Sequence, residues 1–194
     1  RSRLEKAGLL PSQEGWHPDR ITQEIDLIIL GMHARSENPE LKKAQKLKVK
    51  VVSFPAFIYE HAADKQRVVI AGSHGKTRTT AMLMHMLKTA GKEFDYLVGA
   101  QLEGFDHMVG LSDAPLMVLE GDEYLTSPLD RVPKIFHYRP HITAITGIAW
   151  DHMNVFPTEA IYQQQFELYL HKLARGATVY YYGNDPALAA IVQN

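Results

Sequence analysis

Cysteine is missing altogether from the 194 residues. Its absence excludes a disulfide framework, a thiolate nucleophile and any thiolate metal site, and it suits a reducing compartment. Long apolar runs are missing too. None approaches the roughly 18 residues that cross a bilayer as a helix. An excess of charge of one sign is also lacking: 21 Lys and Arg stand against 22 Asp and Glu, a formal net charge of −1. Without a field of one sign, neither nucleic acid nor a membrane surface is expected as a partner. The densest basic run, LKKAQKLKVK at 41–50, reads as a solvated helix face. There is no internal repeat, no low-complexity tract and no Gly-x-Ser-x-Gly elbow for an acyl-enzyme mechanism. The chain opens RSRLEKAG without a methionine, so it reads as part of something longer and gives no basis for a signal peptide.

What is present is an alternation of short apolar runs with helical patterns. DLIILG (26–31) and VKVVSF (49–54) read as buried strands. Between them ENPELKKAQKL carries a helix start, with Asn38 as N-cap and Pro39 at the first helical position. PAFIYEHAA (55–63) follows as a second helix, and the polar ADKQ (63–66) then interrupts the pattern as a domain boundary. RVVIAG (67–72) opens a new strand. The helix after it is expected to bury Leu83, Met86, Leu87 and Ala90 on one face, its methionines as core filler, and to close at Lys88 and Gly91. Further strands are expected at DYLVG (95–99), PLMVLE (115–120), ITAITG (142–147) and ATVYYYG (177–183), with a helix from about Thr158 to Leu173. Strands that are apolar throughout and alternate with helices predict an α/β fold with parallel sheets covered on both faces. Ligands of such sheets bind at the carboxyl ends of the strands.

The chemistry concentrates in VVIAGSHGKTRTT (68–80). A standard Walker A motif needs a glycine where Ile70 stands, so the strict pattern fails. What remains is Gly72-Ser73-His74-Gly75-Lys76-Thr77 between a strand and a helix, as a phosphate cradle requires. Glycines let backbone N–H groups approach an anion, and the helix start adds its partial positive charge. Lys76 would reach terminal phosphates and the Thr77 hydroxyl would bind Mg²⁺. The bland alternative is a glycine turn with a surface lysine. Glu120 ends one expected strand and His152 lies just past another, both where the strand-end rule places a ligand. Glu120 and Thr77 are oxygen donors suited to Mg²⁺; the competing readings are a solvent-facing strand end and a hydrogen-bonded loop histidine. Asp122 and Glu123 extend the acidic cluster, either orienting a metal shell or capping the surface.

AGSHGKTRTTAM resembles the ATP-binding loop of the Mur ligases, which build the peptide stem of peptidoglycan. The resemblance extends to NPEL (38–41), EGDEY (120–124) and WDHMNVFP (150–157). The histidine between the glycines looks most like the branch that adds L-alanine, or a recycled peptide, to UDP-N-acetylmuramate. HYRP (137–140) and YLVGAQLEGF (96–105) lean toward peptide recycling. The resemblance implies the end of a Rossmann-like UDP-sugar domain over residues 1–64. A P-loop ATPase domain with a mainly parallel sheet would begin at 65 and run on through 194, with a third domain outside the chain. It implies a cytoplasmic, ATP- and Mg²⁺-dependent ligase whose partners are UDP-N-acetylmuramate and a peptide or L-alanine. Residues 72–78 would hold the nucleotide, with Lys76, Glu120 and His152 catalytic and with Thr77, Glu120 and His152 on metal. By the resemblance alone, His152 would serve a second ion, and His74 would shape the loop.

Several positions depart from the family pattern. Arg78 stands where threonine is usual; it would grip the α-phosphate, crowd the nucleotide or point to solvent. Gly147 replaces an asparagine and Asn154 an aspartate, and Glu167 falls near the slot of a carbamylated lysine. The fragment alone is expected to be inactive. Two readings of other kinds stay open: a nucleotide-binding module that does not ligate, and a P-loop kinase or GTPase, the latter disfavoured by the failed Walker spacing.

Overall fold

A computed structural model describes residues 2–11, 13–127 and 129–193. Its elements run α1 (Ser2–Lys6), a 3-10 turn (Pro18–Arg20), β1 (Leu27–Leu30), α2 (Pro39–Leu47), β2 (Lys50–Ser53), α3 (Phe54–His61) and β3 (Gln66–Ala71). There follow α4 (Lys76–Thr89), β4 (Asp95–Leu97), β5 (Val109–Gly110), β6 (Leu116–Glu120) and α5 (Ile135–Tyr138). The last are β7 (Ile142–Ile145), α6 (Glu159–Leu170), β8 (Thr178–Tyr181) and α7 (Pro186–Gln193). β1 and β2 form a parallel pair, while the larger sheet has the order β5-β4-β6-β3-β7-β8. All its pairings are parallel except β4 with β5. The α/β class with a mainly parallel sheet is therefore as the sequence predicts.

Local signals account for most boundaries. The Asn38 side chain accepts from the N–H groups of Glu40 and Leu41, which would otherwise be orphaned at the start of α2. Ser53 caps α3 in the same way through Ala56 N–H, and Thr158 caps α6 through Ile161 N–H. The expected strands and long helices are present, most of them trimmed by one to three residues at their ends, while α3 and β3 begin one residue earlier than expected. α1, the 3-10 turn, β5, α5 and α7 are additions of five, three, two, four and eight residues, all but the last too short to show a hydrophobic period.

Side-chain alternation along the central strands divides the core in two. Val69 and Ala71 of β3 and Met117 and Leu119 of β6 face one side. There they meet Ile58 of α3, Ile135 and Tyr138 of α5, Tyr162, Phe166 and Tyr169 of α6, and Leu188 of α7. Val118 faces the other side and packs with Met84 of α4 and Val98. The apolar face expected for α4 needs correction. Met84 and Thr80 are fully buried and Leu83 and Leu87 half-buried, whereas Met86 is 64% exposed and Ala90 also faces solvent. The stripe runs 80-83-84-87, with the fully buried Thr80 at its start. Hydrophobicity alone favours the methionine that lies one position off that stripe.

The polar stretch 63–66 is firmly anchored. Lys65 is buried and its ammonium donates to Asp95 Oδ2 at 2.8 Å and to the carbonyls of Ser112 and Ala114. Next to it Arg67 is 4% exposed, and its guanidinium donates to carbonyls, those of Ala62, Ala63, Lys65, Tyr138 and Arg139. Burial lowers the Arg67 pKa from its usual value, and the planar fork is what lets one side chain satisfy so many acceptors. Through it the end of α3, the start of β3 and the end of α5 are tied together.

Candidate nucleotide site

β6, β3 and β7 lie side by side and parallel, so their carboxyl ends open on one edge of the sheet. β3 runs into the loop 72–75 and then α4. β6 ends on Glu120, and β7 leads through 146–151 to His152. Three segments far apart in sequence thus meet because their strands are neighbours.

The loop depends on its glycines. Gly72 has φ 117°, and a Cβ there would stand 2.5 Å from Thr146 Oγ1 and 2.8 Å from the Gly147 carbonyl. Gly75, at φ 80°, is the N-cap of α4 and is open to solvent. No side chain fills the space over it, which suits an approaching anion. The loop is tied down from the β7 side. Ser73 N–H donates to Gly147 O at 2.9 Å, and Thr146 Oγ1 donates to His74 O at 2.6 Å. Ser73 Oγ donates to Ala149 O at 2.5 Å and lies 3.0 Å from Tyr162 Oη. The Ser73 hydroxyl therefore faces inward and leaves its backbone to the loop. The His74 side chain is exposed, as is Arg78. Arg78 borders a cavity of about 500 Å³ with Ser73, Gly75, Lys76 and Thr77.

Charge converges just behind the loop. Lys76 Nζ donates to Gly72 O at 2.6 Å and pairs with Glu123 Oε2 at 3.0 Å. Glu123 is fully buried; its Oε1 accepts from Gly72 N–H at 3.3 Å, and its Oε2 lies 3.5 Å from His152 Nε2. The Glu123 hydrogen bond raises the His152 pKa against the opposing effect of burial, and Asp151 adds to the rise. His152 adopts φ 54°, an uncommon conformation for a non-glycine residue. Its N–H donates to Asp151 Oδ1 at 2.7 Å, and its ring packs 4.3 Å from that of Tyr124. Burial, with Glu123 nearby, pushes the Tyr162 hydroxyl pKa upward, so it stays a neutral hydrogen-bonding group.

Glu120 sits on the other side of Lys76. Thr77 Oγ1 donates to its Oε1 at 2.7 Å and Gly99 N–H donates to its Oε2 at 2.8 Å. Glu120, Lys76, Asp122, Lys134 and His152 line one cavity of about 370 Å³, whose apolar wall includes Phe54 of α3 and Leu97. Lys134 pairs with Asp122 Oδ2 at 2.6 Å and also contacts Met32 Sδ at 3.2 Å, reaching toward the smaller sheet. The Thr77 hydroxyl and Glu120 carboxylate are hard oxygen donors already in contact, which fits Mg²⁺. Ligand atoms of Asp122, Glu123 and His152 also lie within 4.8 Å of one another, although Glu123 is engaged by Lys76.

The Mur ligase middle domain matches residues 70–194. The chain belongs to that family. A UDP-N-acetylmuramate–L-alanyl-gamma-D-glutamyl-meso-2,6-diaminoheptandioate ligase of Haemophilus influenzae is 31% identical over 73% of this chain and 31% of its own length. A UDP-N-acetylmuramate–L-alanine ligase of Syntrophomonas wolfei is 28% identical over 100% of this chain and 40% of its own. The crystal structure of the diaminopimelate-peptide ligase (MPL) from Neisseria meningitides superposes with a TM-score of 0.87 at 25% identity. That match covers 99% of this chain and 62% of that one. The chain thus spans about a third to two fifths of the length of these curated relatives.

Several residues of this candidate site were not singled out from sequence. Glu123 appeared only as part of an acidic cluster, and its burial against Lys76 is a tertiary fact. Gly99, Lys134, Thr146 and Tyr162 gave no motif; Gly99 alone had a usable signal, as a glycine just past a strand end. Of α6, Tyr162 reaches the loop, whereas Glu167 is exposed.

Proposed function

We propose that this chain carries the nucleotide half of an ATP-dependent amide ligase of peptidoglycan assembly or recycling, working in the cytoplasm. In this reading residues 1–64 close a UDP-sugar domain and 65–194 open the central ATPase domain. The observation that carries the proposal is the meeting of Lys76 and Thr77, Glu120 and Glu123, and His152 at three adjacent strand ends. The acceptor is the carboxylate of UDP-N-acetylmuramate, and the amine is that of L-Ala-D-Glu-diaminopimelate. The carboxylate attacks the γ-phosphate of ATP, ADP leaves, and the resulting acyl phosphate is opened by the amine, with phosphate departing from a tetrahedral intermediate.

The residues of the chain act by position and charge. The 72–77 backbone receives the phosphates at the start of α4. Lys76 exchanges Glu123 and the Gly72 carbonyl for phosphate oxygens and offsets the repulsion between two anions. Thr77 and Glu120, with His152 at a second position, would hold Mg²⁺, which would supply charge neutralisation on the phosphates. A metal at His152 would need the neutral imidazole as ligand, whereas the Glu123 hydrogen bond favours the protonated form. Arg78, exposed beside the cavity lined by Ser73, Gly75, Lys76 and Thr77, is placed to grip the α-phosphate.

Acceptor-dependent phosphate release by the full-length protein tests the assignment. Release with UDP-N-acetylmuramate and tripeptide, and little with L-alanine, is the expected result. The second reading, L-alanine addition, is favoured by the relative matched along the entire chain, and preference for L-alanine would establish it. ATP binding without turnover in either assay would instead identify a non-ligating nucleotide module.

A further inference from the structure

We infer that Gly99 is a positioning residue for the Glu120 carboxylate, and through it for the divalent cation of the nucleotide site; this rests on the ligase reading above. Gly99 lies just past β4, the strand that pairs with β6 on the side away from β3. Its N–H donates to Glu120 Oε2 at 2.8 Å, while Thr77 Oγ1 takes the other oxygen at 2.7 Å. Donors from two elements therefore hold both oxygens and fix the rotation of the carboxylate about its last bond.

The missing side chain is the other half of the arrangement. A Cβ on Gly99 would stand 2.8 Å from Glu120 Oε1, 3.2 Å from its Cδ and 3.3 Å from Oε2. Carbon does not approach oxygen that closely, so any other residue at 99 expels the carboxylate from its present place. Neither backbone nor burial demands glycine here. The φ of Gly99 lies outside the left-handed region, and the residue is exposed. The space is reserved for the Glu120 carboxylate. Mg²⁺ tolerates little departure from octahedral oxygen geometry, and groups that orient a ligand typically govern about 10–100-fold in metal affinity.

The test is titration of the intact protein with a fluorescent ADP analogue, in EDTA and in excess MgCl₂. Wild type is expected to bind more tightly with Mg²⁺. Gly99→Ala should lose about 10–100-fold of the Mg²⁺-dependent affinity yet match wild type in EDTA, because Lys76 and the loop backbone are untouched. Glu120→Asp withdraws the carboxylate by one methylene, so adding Gly99→Ala to Glu120→Asp should cost little more. A Gly99→Ala protein with wild-type Mg²⁺ dependence overturns the inference and leaves the ligase reading standing. A wild type that binds ADP without any Mg²⁺ dependence overturns both. Should Gly99→Ala prove too unstable to titrate, its Tm is compared with that of Gly99→Ala/Glu120→Ala. Recovery in the double variant identifies the carboxylate as the clashing group, and no recovery overturns the inference.

Discussion

Single side chains carry the electrostatics of this site, and Glu123 is the pivot. It is fully buried and shared among Lys76, the Gly72 amide and His152. Removing one member of a buried pair strands the other, at about 3–5 kcal/mol when both are fully buried. Lys76 keeps 13% side-chain exposure and a carbonyl acceptor, so Glu123→Ala should cost less, about 2 kcal/mol, read from urea denaturation. Lys76→Ala strands the fully buried Glu123 carboxylate and should likewise cost about 3 kcal/mol, and it should in addition weaken ADP binding about 10–100-fold in a titration, the worth of one or two charge-assisted hydrogen bonds. Loss of ADP affinity in the second variant beyond that of the first would separate the two roles.

At the scale of elements, α4 illustrates how a helix is read correctly in kind and wrongly in face. Met84 has no exposure and sits between the helix and Val118, whereas Met86 is 64% exposed. Met84→Ala should cost about 2–5 kcal/mol and Met86→Ala under about 0.5, compared by denaturant midpoints at constant m-value. At the other end of the motif, Gly72→Ala combines strain at φ 117° with a collision against Thr146. It should lower Tm and weaken nucleotide binding together, because the loop is held to the β7 side by the groups it would displace. The existence of these elements was legible in the sequence from N-caps, strand runs and the glycine-lysine turn. The helix face was not, because the fully buried Thr80 carries no hydrophobic signal.

For the whole molecule, the buried Lys65–Asp95 pair joins the segment before β3 to β4 and to the carbonyls of 112 and 114. Burial would raise the Asp95 pKa, but hydrogen bonds from Lys65, Ser112 and His61 outweigh it and leave the carboxyl below its ordinary value. A depressed carboxylate contributes its stability above the unfolded pKa, about 3.9 for Asp. It gives that stability up as the pH falls through the lower folded value. The stability difference between wild type and Asp95→Asn should therefore be constant above about pH 5 and shrink below about pH 4. Thermal unfolding across that range reads it.

By itself the sequence determined the class of fold, the strand-loop-helix at 67–89 and the residue types a phosphate and a metal require, because these depend on local period, capping and glycine. Tertiary structure alone decided that Glu123 is buried against Lys76, that Ser73 turns inward to Tyr162, and that Gly99 leaves room for Glu120. Each of those facts joins segments tens of residues apart, and only the order of strands in the sheet brings them within a hydrogen bond of one another.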